Sequence, residues 1–166
     1  MLTIRPARTS DAIAMMDVHR EAILSKAAGH YPQSTLDEWA LGATPDRVAR
    51  IERQIADPEF IVLVAEAGGK VIGYGVAVPS HQELRALYVR PNAIGRVGKA
   101  LLSELEKQAF RTTEVLTCDA SLNAVGFYRA NGYTEQGRTD HVLSSGGSVP
   151  CIRMEKVRPA AGPDGN

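Results

Sequence analysis

The sequence predicts an α/β protein, with a mixed sheet and helices arranged in three layers. The first observation behind this prediction is that short apolar, strand-like stretches are interleaved with longer amphipathic segments of helical period. The second is that short, glycine-bearing loops at residues 67–70 and 144–147 separate pairs of strand-like stretches, as in antiparallel hairpins. Strands that alternate with helices and also form hairpins are typical of a mixed sheet covered by helices.

The length of the chain predicts a single domain. The 166 residues are enough to bury a core without disulfides or metals, and no internal repeat is present. We therefore expect one domain over residues 1–157. Residues 158–166 consist largely of proline, alanine and glycine and are expected to form a disordered C-terminal tail.

Charge and apolar length argue against several classes of partner. Nineteen basic and nineteen acidic side chains leave no net charge, which disfavours a nucleic acid or a membrane surface as partner. No apolar run reaches the roughly 18 residues of a membrane span, so a cytoplasmic protein is expected. Cys118 and Cys151 lie in apolar, strand-like runs without C-x-x-C spacing, which favours reduced thiols over a disulfide.

The first half of the chain predicts one strand, three helices and a hairpin. Thr44 followed by Pro45 marks a helix start, because threonine is a good N-cap and proline is favoured at the first helical position. The remaining elements follow from periodicity: strands at residues 2–4, 60–66 and 71–78, a helix from about residue 11 to residue 26, and a short helix at about residues 35–41.

The segment at residues 83–102 joins a strand to a helix through a glycine-bearing turn. Residues 83–89 alternate, with Leu84, Ala86 and Tyr88 on one side, and Pro91 ends the strand because proline has no N–H to donate. Beyond the turn, apolar residues recur at helical spacing at Val97, Leu101, Leu102, Leu105 and Ala109. This stripe predicts an amphipathic helix that packs through its apolar side.

The turn before this helix predicts an anion site. Free N–H groups and the positive end of the helix dipole face whatever lies in the turn, and Arg96 and Lys99 add positive side chains. Two common nucleotide-binding motifs are excluded. The P-loop requires G-x-x-x-x-G-K-[ST], but Ala93 and Ala100 stand at two of its fixed positions, and the chain contains no G-x-G-x-x-G.

The second half of the chain predicts three strands and a helix. A strand is expected at residues 114–119 and two more at residues 133–141 and 149–157. Between the first two, Asn123 is the predicted N-cap of a helix that Asn131 and Gly132 end in a left-handed conformation.

Together, the segments at residues 83–102 and 119–133 resemble the GNAT superfamily of N-acetyltransferases, which use acetyl-coenzyme A. The more specific pattern is S-x-N-A-x-x-F-Y-x-x-x-G-[FY], which runs from Ser121 to Tyr133, and the resemblance extends from residue 3 to residue 156. The chain departs from the family in the turn, where Arg96 is followed directly by Val97 without a further glycine. The resemblance implies a three-layer GNAT-like acyl-CoA N-acyltransferase fold, in which the strands at residues 83–89 and 114–119 are parallel neighbours that splay apart.

The resemblance also implies where acetyl-CoA binds. Its pantetheine arm enters the gap between the splayed strands, and its pyrophosphate lies on the turn. Carried over residue by residue, the implied coenzyme contacts are Leu87, Tyr88 and Val89 on the strand, Ile94, Gly95, Arg96, Val97, Gly98 and Lys99 in the turn, and Asn123 and Tyr128 beyond it. For Arg96 and Lys99 a solvated positive helix face is the alternative role, and for Asn123 it is helix capping alone.

Two catalytic residues are expected from the resemblance and from the chemistry of acetyl transfer. An amine with a pKa of about 10 must lose a proton before it attacks. Glu83, where the family often places a catalytic base, is the first candidate, with an ion pair to Arg85 as its alternative role and His81 as the alternative base. Tyr128 occupies the position of the family's general-acid tyrosine and is expected to protonate the leaving thiolate, unless it only packs in the core.

The leading hypothesis is an acetyl-CoA-dependent N-acetyltransferase that acts by direct attack in a ternary complex on a primary amine of a small molecule or peptide. A non-catalytic CoA-binding regulatory module, favoured by the short turn, and an acyltransferase for another acyl group or acceptor remain open. The family's acceptor pocket would involve Tyr31, Trp39, His30 and His19. No metal is expected, because no ligand set has suitable spacing, and a homodimer is the default assembly.

Overall fold

The fold is described by a computed structural model for residues 1–162, and residues 163–166, which belong to the predicted tail, lie outside the described residues. The strands are β1 (Leu2–Pro6), β2 (Ile61–Ala67), β3 (Lys70–Val78), β4 (Glu83–Val89), β5 (Val115–Ser121), β6 (Thr134–Val142) and β7 (Ser148–Val157). They form one sheet in the order β1-β2-β3-β4-β5-β7-β6. The β4–β5 pair is parallel, and the other five pairs are antiparallel. The predicted mixed sheet is confirmed.

The helices follow the predicted order. They are α1 (Ala12–Lys26), α2 (Gln33–Trp39), α3 (Pro45–Ala56), α4 (Val97–Ala109) and α5 (Val125–Ala130), with single 3-10 turns at Thr9–Asp11 and Pro79–His81. Thr44 caps α3, since its hydroxyl accepts the N–H of Arg47 at 3.4 Å. No helix in residues 1–162 is both long and apolar enough to cross a bilayer.

The sheet lies between two helical layers. On one face, Leu63 and Ala65 of β2 are buried with α4. On the other face, the neighbouring residues Val62 and Val64 are buried with Met15 of α1. Because successive side chains of a strand point to opposite faces, the apolar run of β2 supplies both cores, and the predicted three layers are confirmed.

Helix α4 packs closely on the sheet through the predicted stripe. Its buried residues are Val97, Leu101, Leu102, Leu105 and Ala109. Beneath it, β3 carries Gly73 and Gly75, and a β-carbon at Gly75 would overlap the Cδ1 atom of Leu105. The missing side chain at Gly75 therefore allows the helix and the strand to approach more closely than larger residues would.

Strands β4 and β5 pair only at their beginning. Glu83 lies opposite Thr117, and the N–H of Thr117 donates to the carbonyl of Gln82 at 2.7 Å. Beyond this point no other register pair joins the two strands in the part of the chain that the structure describes. Because β4 stays paired with β3 and β5 with β7, the gap opens toward the end of β4. The predicted splay is confirmed.

The predicted alternation along β4 is wrong at Arg85. Ala86 lies opposite Val76 of β3, whereas Leu84 lies opposite the adjacent Ala77, so Arg85 is an extra residue in β4. A β-bulge of this kind shifts the alternation by one residue. Leu84 consequently packs on the α4 side of the sheet, whereas Ala86 packs on the α1 side.

Residue 158, where the predicted tail begins, is held by the domain. The N–H of Arg158 donates to the carbonyl of Glu114 at 2.7 Å, and its Nη1 donates to the carbonyl of Phe110 at 3.1 Å. The guanidinium also forms an ion pair with the Glu114 side chain. These contacts fasten the end of β7 to the connection between α4 and β5.

Candidate active site

The gap between β4 and β5 opens into two cavities that share a wall. The first, of about 480 Å³, lies between β4, the start of α4 and α5. The second, of about 380 Å³, lies near the start of β4 and extends across β5 and β7. Six residues line both: Trp39, Leu87, Tyr88, Ser121, Ala124 and Tyr128. The two cavities therefore meet inside the gap.

The backbone of β4 presents polar groups to the first cavity. The N–H of Arg90 donates to the carbonyl of Ile72 in β3 at 2.8 Å, and backbone groups of successive strand residues alternate between the two strand edges. Those of Leu87 and Val89 therefore face the gap, and both residues line the cavity. The backbone of Tyr88 faces β3, so this residue reaches the cavity only through its side chain.

The turn before α4 forms an anion-binding end of the first cavity. Gly95 has a φ of +92°, a left-handed conformation that glycine adopts readily. Helix α4 begins at Val97 without a side-chain cap, so its first N–H groups have no partner within the helix. These groups and the helix dipole favour an anion. The lining residues contributed here are Gly95, Arg96, Gly98 and Lys99.

Two predicted turn contacts have side chains that lie elsewhere. Ile94 is 93% exposed, whereas Val97 is 1% exposed and packs in the core beneath α4. Neither residue is among those that line the first cavity. If these two residues contact the coenzyme, the contact must come from their backbone groups.

Asn123 lines the first cavity, but its predicted role as a helix cap is wrong. A turn closed by the N–H of Ala124 and the carbonyl of Ser121 at 2.8 Å delays the helix, so α5 begins at Val125 with Ala124 as its N-cap. The side-chain Oδ1 of Asn123 is buried without a hydrogen-bond partner in residues 1–162. An unsatisfied buried acceptor costs about 1–3 kcal/mol, and a donor on a molecule bound in the cavity would remove this cost.

Tyr128 lies where the two cavities meet. It is 7% exposed, and its ring makes edge-to-face contacts with Phe127 and Tyr133, each at a centroid distance of 5.3 Å. Burial raises the pKa of Tyr128 well above its ordinary value of 10.0. A tyrosine hydroxyl is protonated at neutral pH even at its ordinary pKa, and burial keeps it so, which leaves a proton available for donation.

Glu83 begins β4 and lines the second cavity, as does His81 in the preceding turn. The Oε2 atom of Glu83 accepts hydrogen bonds from the Nε and Nη2 atoms of Arg85, at 3.1 and 2.6 Å. The two side chains are 36% and 34% exposed, and partly exposed pairs of this kind contribute only about 0–1 kcal/mol. The ion pair foreseen as the alternative role of Glu83 is therefore present, and it contributes little to stability.

The second cavity contains another ion pair, which no sequence motif predicted. Asp119 and Arg153 lie opposite each other on β5 and β7. The Nε of Arg153 donates to Oδ1 of Asp119 at 3.0 Å, and its Nη2 donates to Oδ2 at 3.4 Å. The hydrogen bonds that Arg153 donates to Asp119 raise the pKa of Arg153, and the charge of Glu83 adds to this effect. Because the pair depends on the register of strands more than 30 residues apart, only the three-dimensional fold reveals it.

The connection between α1 and α2 contributes a second set of residues to the site. The hydroxyl of Tyr31 donates to the carbonyl of Pro150 at 2.6 Å and accepts the N–H of Leu122 at 2.9 Å. It thereby fixes the turn that carries Ser121 and Asn123. Of the other residues implied for the acceptor pocket, Trp39 lines both cavities, His19 packs edge-to-face on Tyr88, and His30 is not a lining residue of either cavity.

Both cysteine thiols are free and buried. Burial raises the pKa of Cys118 to about 12 and that of Cys151 to about 11, so neither thiol forms a thiolate near neutral pH. Within residues 1–162, no group of three or more His, Cys, Asp or Glu side chains is placed to hold a metal ion.

Comparison with protein families identifies the class of this fold and cleft. A family model described as an acetyltransferase (GNAT) domain matches residues 27–156, most of the chain. The chain therefore belongs to the GNAT acetyltransferase family, and it is an acetyltransferase. The prediction of an acetyltransferase enzyme is confirmed. No curated protein sequence matches the chain.

Solved structures with the same architecture support this assignment. A GCN5-related N-acetyltransferase from Rhodopseudomonas palustris is 28% identical, with a TM-score of 0.82 over 93% of this chain and 94% of that one. A ribosomal-protein-alanine N-acetyltransferase from Brucella melitensis is 27% identical, with a TM-score of 0.67 over 93% and 99%. PaiA N-acetyltransferase from Thermoplasma acidophilum, solved in complex with coenzyme A, is 22% identical and shares the fold, with a TM-score of 0.72 over 95% and 99%.

Proposed function

We propose that the protein transfers the acetyl group of acetyl-CoA to a primary amine of a small molecule or peptide, by direct attack in a ternary complex. The observation that carries this proposal is the meeting of the two cavities at Tyr128 in the gap between β4 and β5. One cavity has backbone groups and a helix start suited to a pantetheine arm and a pyrophosphate. The other is lined by Glu83, a carboxylate that can accept a proton from an amine. A molecule in each cavity would place its reactive group beside Tyr128.

The residues around the first cavity fit acetyl-CoA. The free backbone groups of Leu87 and Val89 would pair with the pantetheine amides as another strand would. Asn123 offers its unpartnered Oδ1 to a donor on the same arm. The N–H groups at the start of α4 would bind the pyrophosphate, with Arg96 and Lys99 adding positive charge. The relative solved with coenzyme A supports this choice of coenzyme.

The chain's thiols favour direct attack over a covalent acetyl-enzyme. Cys118 and Cys151 both line the second cavity, so either is placed where a nucleophile would be needed. However, burial raises the pKa of Cys118 to about 12 and that of Cys151 to about 11. A neutral thiol is a poor nucleophile, so the amine itself must attack.

Glu83 is proposed to act as the base. Bound acetyl-CoA supplies a thioester carbon, and an amine can attack it only with a free electron pair. Glu83, directly or through a water molecule, takes one proton from the ammonium form and frees that pair. Arg85 holds the carboxylate in place. His81 lines the same cavity and remains the second candidate for this role.

Tyr128 is proposed to act as the general acid. A phenol with an ordinary pKa of about 10 is protonated at neutral pH, and burial, which raises the pKa of Tyr128 further, keeps the proton on the hydroxyl until an acceptor forms. The hydroxyl donates this proton to the departing sulfur as negative charge develops on it and the C–S bond breaks. The amine nitrogen loses its second proton as the amide forms, and this proton restores the tyrosine. Glu83 releases the first proton to solvent, so the products are an N-acetyl amide, the coenzyme thiol and one proton, and both side chains return to their starting states.

Release of coenzyme thiol during incubation with acetyl-CoA and a panel of primary amines tests this function. Replacement of Tyr128 by Phe or of Glu83 by Gln should lower kcat by roughly 10²–10⁴-fold, with little change in coenzyme affinity. Tyr74→Phe and Glu135→Gln are matched controls, since they remove a buried hydroxyl and an arginine-paired carboxylate away from both cavities. Unchanged kcat in both active-site variants would contradict the assigned roles.

A further inference from the structure

The charges of the second cavity indicate what kind of amine it accepts. Two guanidinium groups, of Arg85 and Arg153, are balanced by two carboxylates, of Glu83 and Asp119. When Glu83 takes a proton from the acceptor, two positive groups face one remaining carboxylate. A plain ammonium ion therefore adds positive charge to a balanced cavity, whereas an acceptor with its own negative group restores the balance.

Arg153 has the geometry to bind such a negative group. Asp119 uses the edge of the guanidinium formed by Nε and Nη2. The Nη1 atom has no hydrogen-bond partner within residues 1–162, so the fork formed by Nη1 and Nη2 remains available for a carboxylate. The side chain is 54% exposed, which makes it accessible without any rearrangement of the core.

Arg85 is less suitable for the same task. Both of its hydrogen bonds go to Glu83, the proposed base. Its guanidinium also lies over the ring of Phe60, 5.2 Å from the centroid. Arg85 is therefore paired with Glu83, the proposed base. Arg153 is paired with Asp119, a carboxylate that has no role in the proposed proton transfers.

Glu83 and Arg153 lie on the two strands that flank β5, and both line the second cavity. Glu83 is at the start of β4, and Arg153 is on β7 beyond β5. Because both line this cavity, the charge of Glu83 contributes, as the smallest of several causes, to the raised pKa of Arg153. One small molecule can therefore place its amine beside Glu83 and its negative group beside Arg153.

We propose that the acceptor is a small amine that also carries a carboxylate, as an amino acid does, and that Arg153 binds this carboxylate. Asp119 acts as a positioning residue that holds the guanidinium in the cavity wall. This inference rests on the proposed acetyl transfer and narrows its substrate class. It makes Arg153 a determinant of specificity, with no part in the chemical step.

The test compares amino acids with their carboxamides, side chain by side chain, as acceptors for thiol release from acetyl-CoA. The pairs include small, branched, aromatic and acidic side chains, and β-amino as well as α-amino acids. The wild-type protein should show a kcat/KM at least about 10-fold higher for the acid of the preferred pair. The ammonium group of the carboxamide loses its proton more easily than that of the acid, so more of the carboxamide is present as the reactive free amine. A preference for the acid therefore cannot come from the reactivity of the amine.

The variant Arg153→Gln should lower kcat/KM for the acid by about 10–100-fold, mostly through KM, and leave the carboxamide nearly unchanged. Arg153→Lys should keep part of the preference, because a lysine retains the charge but not the fork. Arg138→Gln, on the neighbouring β6 and outside both cavities, is the matched control and should behave as wild type.

Two outcomes would overturn the inference, and they are distinguishable from each other. In the first, the carboxamides react at rates equal to or above those of the acids, or Arg153→Gln lowers kcat/KM equally for both. Either result would contradict recognition of a carboxylate and leave the proposed acetyl transfer intact. Absence of thiol release with every amine, in a folded protein that binds acetyl-CoA, would contradict the proposed acetyl transfer and the inference with it.

Discussion

The two cavities of this protein are built in different ways. The first is formed mainly by residues 87–99 and 121–131 and offers mostly backbone groups, at the edge of β4 and the start of α4. The second draws its polar side chains from β4, β5, β6 and β7, and these include two ion pairs. A site made of backbone groups persists as long as the fold does, whereas a site made of side chains can change without altering the fold. If the two cavities hold coenzyme and acceptor as proposed, coenzyme recognition should follow from the shared fold, and acceptor recognition from the side chains of this chain.

The largest expected effect is a difference in unfolding free energy between variants in the two apolar clusters beside the cavities. Leu105 is fully buried where α4 packs on Gly75, so Leu105→Ala should lower the free energy of unfolding by about 3 kcal/mol. Leu143, in the smaller apolar cluster beside the second cavity, is 8% exposed, and its replacement by Ala should cost roughly half as much. Urea unfolding measures both changes. Equal losses would show that the two regions do not differ in stability as the packing indicates.

Burial of His19 beside Tyr88 should make the stability of the protein depend on pH. Burial lowers the pKa of His19 from 6.5 to about 4, and the charge of Arg47 adds to this effect. Between these pH values the unfolded chain binds a proton that the folded chain does not. Stability is therefore complete above pH 6.5 and falls as the pH decreases toward 4, by on the order of 2 kcal/mol.

The variant His19→Phe keeps an aromatic ring against Tyr88 but cannot take up a proton. Urea midpoints measured from pH 7 to pH 4.5 should therefore change less in this variant than in the wild type. His30→Gln serves as the control, because His30 belongs to the exposed connection between α1 and α2. A wild-type and a His19→Phe protein with equal pH dependence would contradict the depressed pKa.

The first cavity was largely predictable from the sequence because its signals are local. A single stretch of sequence is enough to predict the strand Glu83–Val89, and another is enough to predict the apolar stripe from Val97 to Ala109. The error at Arg85 has a long-range cause, since the bulge arises from pairing with β3. Asn123 was mistaken for a cap because the sequence does not show that a turn closed at Ala124 delays the helix.

The second cavity was predictable only in part. Glu83 was identified through the family resemblance, but Asp119 and Arg153 become partners only when β5 and β7 align. Tyr31 was expected near the acceptor pocket, yet its bonds to Leu122 and Pro150 join segments about 90 and 120 residues away. Contacts that depend on the register of distant strands leave no periodic or motif-like trace in the sequence.

Tyr31 lines neither cavity, but its hydroxyl fixes the turn between Ser121 and Asn123, two residues that line the first one. In Tyr31→Phe the N–H of Leu122 and the carbonyl of Pro150 lose their partner, at a cost of about 1–2 kcal/mol in stability. We also expect a several-fold higher KM for acetyl-CoA, because the turn that carries Asn123 is no longer fixed. Tyr74→Phe, which removes a buried hydroxyl that lines neither cavity, should leave this KM unchanged.

A double-mutant cycle distinguishes positioning by Tyr31 from a general loss of stability. If Tyr31 acts through the turn, its effect on KM should shrink when Asn123 is already replaced by Ala. Purely additive effects on KM would indicate that Tyr31 and Asn123 act independently.

The smallest expected effect concerns the positive side chains at the start of α4. Arg96 and Lys99 line the first cavity but are exposed to solvent, and water and salt screen such charges. If backbone N–H groups carry most of the pyrophosphate binding, Arg96→Ala and Lys99→Ala should each raise the KM for acetyl-CoA only about 2–5-fold, and less at high salt. Lys107→Ala, in the last turn of the same helix, is the matched control. A loss of 100-fold or more in either variant would mean that side chains define the coenzyme site as well, and the contrast between the two cavities would disappear.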